Sequence, residues 1–248
     1  MGAFDLAAGD FAALEEGILV QEKSFLDLIL SRTHALPSER LFPSPEPERS
    51  TLRVQGNTTD HLRVFAVRSN AELDYVAELL EKRYQWRGYA APKFACNKPD
   101  SDAPVPSTQV TLVAKYGDAA LGTLTVGVDS SDAGLYVEHC FPEEVSALRK
   151  QSQRLAELTR LAVDQCKHSR AILAGLFQAA YVVCRVENNV SDVLIEVNPR
   201  HVAFYRRAFG FLPAAKERTS PRVGASSVLM RLEMAGLDRR LGASVAAI

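Results

Sequence analysis

The 248-residue chain sets 29 Lys and Arg against 30 Asp and Glu, for a net charge of −1, and is 47% hydrophobic. Such a length and apolar content suit one ordinary domain with an extension, or two small ones, built on a real core. Balanced charge leaves no global field to draw in nucleic acid or an anionic membrane, so no nucleic-acid partner is expected.

Residues 1–36 read as a loosely amphipathic helical region carrying Leu14, Ile18 and Leu19, then Phe25, Leu26, Leu28 and Ile29. The opening MGAFDLAAGD has two acids before any base and no continuous apolar run, which fits neither a secretory signal nor a transmembrane segment. A cytoplasmic location is therefore expected. The proline-rich LPSERLFPSPEPERS follows, where each proline removes a donor and fixes its own φ, and residues 37–58 read as a linker.

The ordered domain starts at LRVFAVR (62–68), an apolar run at strand spacing. Ser69 as N-cap, with Glu72 reaching back, opens a helix whose buried stripe is Leu73, Val76, Leu79 and Leu80. Residues 90–107 hold four prolines and no periodicity, and read as a loop. QVTLVAKY and ALGTLTVGV are strands that pair antiparallel across Gly117-Asp118, whose glycine suits a tight turn. FPEEVSALRKQSQRL begins with proline and two acids, as a helix N-terminus does.

LAELTRLAV (155–163) is the next strand, and Ser169 is expected to cap a long helix whose apolar positions run from Ile172 to Cys184 and stop at Asn188-Asn189. DVLIEV is again a strand. NPRHVAFYRRAFGF (198–211) supplies a short helix with Asn198 as N-cap, Pro199 at its first position and Gly210 just past its end. SSVLMRLEM closes the sheet, and residues 236–248 read as a tail. The order predicts a three-layer α/β domain over 59–235, a mixed twisted sheet flanked by helices, in which the strand-helix-strand unit 155–197 is parallel. Cys96, Cys140, Cys166 and Cys184 form no Cys-x-x-Cys pair and meet no paired histidines at zinc spacing, so neither a metal site nor a disulfide scaffold is expected.

This element order, with Asn198 ending a strand, Tyr205 seven residues on and then Gly210-Phe211, resembles the GCN5-related N-acyltransferase (GNAT) superfamily over roughly residues 60–235. More narrowly, LAELTRLAVD followed by LIEVNPRHVAFYRRAFGF is similar to the bacterial long-chain N-acyl amino acid synthases, the FeeM-like group related to the acyl-homoserine-lactone synthases. The resemblance implies an enzyme that holds no bound cofactor. It would take a long acyl group from a phosphopantetheine thioester, on an acyl carrier protein or coenzyme A, to the amine of an amino acid or similar small acceptor. It also implies two neighbouring parallel strands, 155–163 and 191–197, that splay to admit the thioester.

Aminolysis of a thioester needs a neutral amine, a polarised carbonyl and a departing thiolate. On the resemblance, Glu157 would take the ammonium proton, and Arg160 would grip the acceptor's carboxylate bidentately. A strand places these two on opposite faces unless a bulge intervenes, and the superfamily carries one there. The alternative is a structural ion pair. Tyr205 would act as general acid at the sulfur, or would simply pack in the core like Phe204 and Phe209. Asn198 would contact pantetheine besides capping its helix. His139 in YVEHCF is a second candidate base, and Arg83 and Trp86 in RYQWRGY would close over the acceptor.

Members of the superfamily that bind coenzyme A usually carry glycines after the first splayed strand; this chain has QCKHSRA, with none. Lys167, His168, Ser169 and Arg170 suit a single phosphate or an acidic carrier surface, or else form a solvated basic turn. Two other functions stand beside carrier-dependent acylation: a coenzyme A-dependent N-acetyltransferase, and a non-catalytic acyl-thioester-binding or scaffold domain. Residues 1–58 leave a lid, a homodimer arm and an in-plane membrane contact open.

Overall fold

The computed structural model describes residues 52–53, 62–68, 70–85, 108–117, 119–151, 153–164, 166–221 and 224–245. Residues 1–36, Ser69, Trp86 and the loop 90–107 lie outside them, and of Arg83 only the helical backbone is described.

Strands β1 (Leu52–Arg53), β2 (Leu62–Ala66), β3 (Gln109–Tyr116), β4 (Ala119–Val128), β5 (Leu155–Val163), β6 (Asp192–Val197), β7 (Leu212–Pro213), β8 (Arg218–Thr219) and β9 (Ser226–Glu233) build one mixed sheet. Its order is β1-β2-β3-β4-β5-β6-β9-β7, with β8 also on β9. All neighbours are antiparallel except β5 and β6, which run parallel as the sequence predicts. Gly117 takes φ +60° at the β3–β4 turn, a conformation that bears no cost for a residue without Cβ. Two sequence boundaries move. Leu52–Arg53, placed in the linker, pair with Val64 and Arg63 as an edge strand. Residues expected to form a C-terminal tail are a helix, α5 (Met234–Val245), whose Met234 is buried.

Helices α1 (Asn70–Gln85) and α2 (Pro142–Lys150) cover one face, and α3 (Ser169–Tyr181) and α4 (Val202–Phe209) cover the other. Strand alternation decides which side chain meets which helix. Leu112, Leu124, Leu158, Ile195 and Met230 face α3 and α4 in the largest core cluster. Val113 and Ala162 face Val76, Leu79 and Leu80 of α1. Leu155, Leu194 and Leu229 face Phe141, Val145 and Leu148 around α2. Each fully buried Leu or Phe contributes on the order of 1.5–3 kcal/mol, so these three clusters hold the layers together.

Glu72 accepts the Arg68 amide at 2.9 Å, one residue before the Ser69 expected as its partner. The predicted Ser169 cap is corrected. His168 is the N-cap residue of α3, and the Ser169 hydroxyl turns back into the preceding bend, accepting from Cys166 N at 2.9 Å and lying 2.8–2.9 Å from the Cys166 and Asp164 carbonyls. Helix α3 passes into a π-helical segment, Val182–Glu187, before the left-handed Asn189 (φ +48°) ends it. The continuous helix Ser169–Glu187 has the length and apolarity of a membrane span, but 67% of its most apolar window is buried against the sheet.

At Gly122 of β4 an added Cβ would stand 2.5 Å from Ile172 Cγ2 and 3.1 Å from Leu176, so α3 packs directly on bare backbone. Gly122→Val is expected to lower stability in urea unfolding by about 1–3 kcal/mol, as overpacking of a filled core does. Burial in the π-helical segment raises Glu187 from 4.5 to about 7. Between these values the folded protein holds a proton that the unfolded chain has released, so stability falls as pH rises through that window. Glu187→Gln is expected to raise Tm above pH 7 and to leave it unchanged near pH 4.5, in thermal melts across pH.

Candidate active site

The parallel pair β5–β6 is hydrogen-bonded only at its start: Leu155 with Asp192, Ala156 with Val193 and Glu157 with Leu194. β5 continues to Val163 and β6 to Val197 without further pairing, so the two strands part and leave a gap inside the sheet. The bend that parts them is a bulge in β5. Thr125 of β4 faces Thr159, while Thr123 faces Ala162, and Arg160 between them sits at φ +54°. A left-handed non-glycine residue costs on the order of 1–3 kcal/mol and persists where the surroundings enforce it.

That extra residue changes which way the side chains point. Leu158 and Leu161, three apart, both face α3. Glu157 and Arg160 therefore share the opposite face, and both reach Tyr136. Glu157, 1% exposed, accepts Tyr136 N at 2.8 Å on one carboxylate oxygen and Val137 N at 3.0 Å on the other. Gly127 on β4 leaves room for it, since a Cβ there would lie 3.3 Å from Glu157 Cγ. Arg160, 8% exposed, donates to Tyr136 Oη at 3.3 Å and to Gln109 Oε1 at 3.4 Å, its guanidinium 5.4 Å from the Tyr136 ring centre.

The 3-10 turn Tyr136–His139 that presents those amides is itself braced. Glu138 accepts Leu135 N at 2.6 Å, and Arg149 of α2 bridges Glu138 to Asp129 at the end of β4, with 2.6 and 2.7 Å bonds to both Asp129 oxygens. The Arg149 hydrogen bond holds the Glu138 carboxyl below the usual range, and bonds to Asp129 and Glu138 raise Arg149 further. His139 is exposed at the end of the turn, its Nδ1 3.1 Å from the Tyr136 carbonyl oxygen.

On the same face a band of buried polar side chains crosses the sheet: Thr111 and Thr125, whose hydroxyls lie 3.1 Å apart, and Glu196, which accepts from Ser227 Oγ at 2.7 Å. The sequence reading missed these residues and Tyr136. Threonines at alternate positions in otherwise apolar strands were the available signal for the first two.

Tyr205 stands elsewhere. It is 0% exposed on the α3 face, edge-on to Phe204 (5.1 Å) and Phe211 (6.3 Å) and stacked with Phe209 (6.1 Å). Its ring makes the contacts expected of the packing role, one of the two open in the sequence. Asn198 caps as expected, its side chain accepting from Arg200 N at 3.2 Å at the tip of β6. Lys167 is exposed at the start of α3, beside the open end of the gap, and His168 stacks on Tyr116 at 4.4 Å, with Arg170 half-buried in the first turn of α3.

Behind the gap, on the α3 face, lies a narrow apolar slot with a cavity volume of about 40 Å³. Leu158, Val193 and Leu232 of the sheet line it, together with Phe177, Tyr181 and Cys184 of the long helix. Burial pushes the Cys184 thiol up to about 12, so it is a packing group there. Among the described residues, no group of three or more His, Cys, Asp or Glu is arranged to hold a metal ion.

A mixed sheet whose one parallel pair parts halfway, between a polar face and an apolar one, is the GCN5-related N-acyltransferase fold. The solved FeeM, an N-acyl amino acid synthase from uncultured soil microbes, shares that fold at a TM-score of 0.63 and 22% identity, over 73% of this chain and 95% of that one. An uncharacterized protein from Bacillus halodurans (TM-score 0.49, 13% identity, 74% and 89% covered) and an acyl-CoA N-acyltransferase from Pseudomonas aeruginosa (0.46, 13%, 70% and 99%) are also similar. Comparison with curated proteins finds no match. The family model of the N-acyl amino acid synthase FeeM matches residues 75–233, and the chain belongs to that family, within the GNAT superfamily, as an acyltransferase.

Glu157→Gln replaces one acceptor oxygen by an amide that faces a backbone N–H. Losing one buried bond of this kind costs about 1–3 kcal/mol, so the variant is expected to unfold at lower denaturant than the parent. Glu157→Asp, too short to reach both amides, is expected to fall on the same side in that titration.

Proposed function

We propose that the chain moves a long-chain acyl group from the phosphopantetheine thioester of an acyl carrier protein to the amino group of an amino acid. The observation that carries this reading is the gap between β5 and β6, with Glu157 and Arg160 on one side and the slot beginning at Leu158 on the other. A thioester laid in the gap sends its acyl chain toward the slot and offers its carbonyl carbon to an amine on the polar face. The pantetheine amides extend the interrupted ladder, using backbone groups of β5 that β6 leaves.

In this reading Arg160 binds the acceptor's carboxylate through charge-assisted hydrogen bonds, giving up its long bonds to Tyr136 Oη and Gln109 Oε1. Glu157 takes the proton released as the amine becomes an amide, directly or through one water. The C–N bond forms, the C–S bond breaks, and the carrier leaves as a thiolate that is protonated by solvent. His139 and the Glu196–Ser227 pair border the acceptor's place. Arg83 and Trp86 belong to the same proposal as groups closing over it. Tyr205, on the helix behind β6, stays the candidate general acid for the departing thiolate beside solvent.

Lys167, His168 and Arg170 flank the N-terminus of α3, where the single phosphate of a carrier-borne pantetheine gains from helix dipole and positive charge. The absence of glycine from Asp164 to Arg170 disfavours the longer pyrophosphate of coenzyme A.

The test is turnover of tetradecanoyl thioesters on carrier protein and on coenzyme A with mixed amino acids, read by mass spectrometry. N-acyl amino acids formed faster from the carrier are expected; acetyl transfer from coenzyme A without long-chain product would replace this reading. Arg160→Lys is expected to raise KM for the amino acid about tenfold or more while changing kcat less, since a bidentate charge-assisted bond contributes about 1.5–3 kcal/mol.

A further inference from the structure

Resting on the acyl-slot reading above, we infer that Tyr181, Asp238 and Leu237 form the end wall of the slot and set the longest acyl chain it accepts. The slot has a direction. Leu158 lies next to the last paired position of β5, at the gap, whereas Val193 lies one residue into β6, away from it. Beyond Val193 the amide of Met234 donates to the Ser191 carbonyl at 2.9 Å, which fixes the start of α5 beside the start of β6. Helix α3 runs the same way, starting beside the open end of the gap and finishing here. Met234 and Leu237 of α5, Tyr181 at the end of α3 and Cys184 of the π-helical segment therefore meet at the end farthest from the thioester.

That meeting point is bolted. The Tyr181 hydroxyl donates to Asp238 Oδ1 at 2.9 Å, and Arg185 Nε donates to Asp238 Oδ2 at 2.9 Å. Tyr181 and Arg185 are four apart, on one side of the helix, so a single carboxylate on α5 takes both. Arg185 is held in turn by Asn189 Oδ1 at 3.1 Å. Burial first, then the bond to Asp238, pushes the Tyr181 phenol up to about 12, so it stays a donor at working pH. Leu237, one residue before Asp238, is carried into the slot by the same turn. A chain long enough to pass Val193 meets this wall and has to break the bolt to go further.

The experiment measures binding of free fatty acids of 8–18 carbons, below micelle formation, to the full chain by calorimetry. Affinity is expected to climb about fourfold per methylene until the slot is full and then to level off. In Leu237→Trp the levelling moves to a shorter acid. In Tyr181→Phe and in Asp238→Ala, each removing the bolt from one side, it moves to a longer one. Levelling at the same carbon number in all four proteins, or no dependence on length, overturns the assignment. Product analysis with acyl carriers of the same lengths judges the transfer reading separately: a shifting plateau without any N-acyl product keeps the wall and sinks the synthase.

Discussion

The rest of the structure depends on where two parallel strands stop pairing. An unpaired backbone group inside a protein is expensive, and sheets normally run their ladders to the strand ends. Here the ladder stops at Glu157–Leu194 while both strands continue, because the extra residue at Arg160 turns β5 and the left-handed backbone there is kept by β4 on its other edge. β6 is kept equally straight by β9, paired along its whole length from Asp192 to Val197. The gap is thus framed by two intact antiparallel ladders. It is a fixed opening rather than a fraying edge.

The same bulge settles the chemistry of each side. One inserted residue reverses the alternation, so that Leu158 and Leu161 both enter the apolar core while Glu157 and Arg160 both enter the polar face. Without it one of the charged groups would sit against α3, with no amide to meet it. A buried carboxylate is tolerable only where donors converge on it. The Tyr136–His139 turn brings two, and the Asp129–Arg149–Glu138 bridge holds that turn against α2. The geometry at Glu157 is consequently set by the turn and by the bridge that braces it, the way rigid supporting groups preorganise a side chain.

The two faces differ in how they are closed. The face under α1 and α2 joins apolar clusters beneath each helix to charge-assisted bonds of fixed direction at Asp129, Arg149 and Glu138. The α3 face is held by Leu, Val and Phe contacts, which are undirected, with polar ties between its helices at Asp238 and where Arg240 donates to the Phe209 carbonyl. The long helix serves both ends of this face: its start stands at the opening between the strands, and its π-helical end meets α5.

The element order, the β3–β4 hairpin, the parallel unit and the Asn198 cap could be read from the chain, since each rests on local patterns: alternation, a glycine turn, a short polar side chain beside its own helix. Glu157 and Arg160 were legible as a pair because Glu-x-x-Arg sits within one strand. Tyr136 and the threonine–glutamate band were not, because their neighbours come from strands and loops 14 or more residues away, and no short window records such contacts. Leu52–Arg53 and α5 were misread for a related reason: a two-residue edge strand has no periodicity of its own, and the last helix is explained by what Met234 and Asp238 touch. Tyr205 shows the division most clearly. Its spacing from Asn198 could be read in one dimension, but which side of the sheet its helix lands on, and so which aromatic rings its own ring meets, was decided by packing alone.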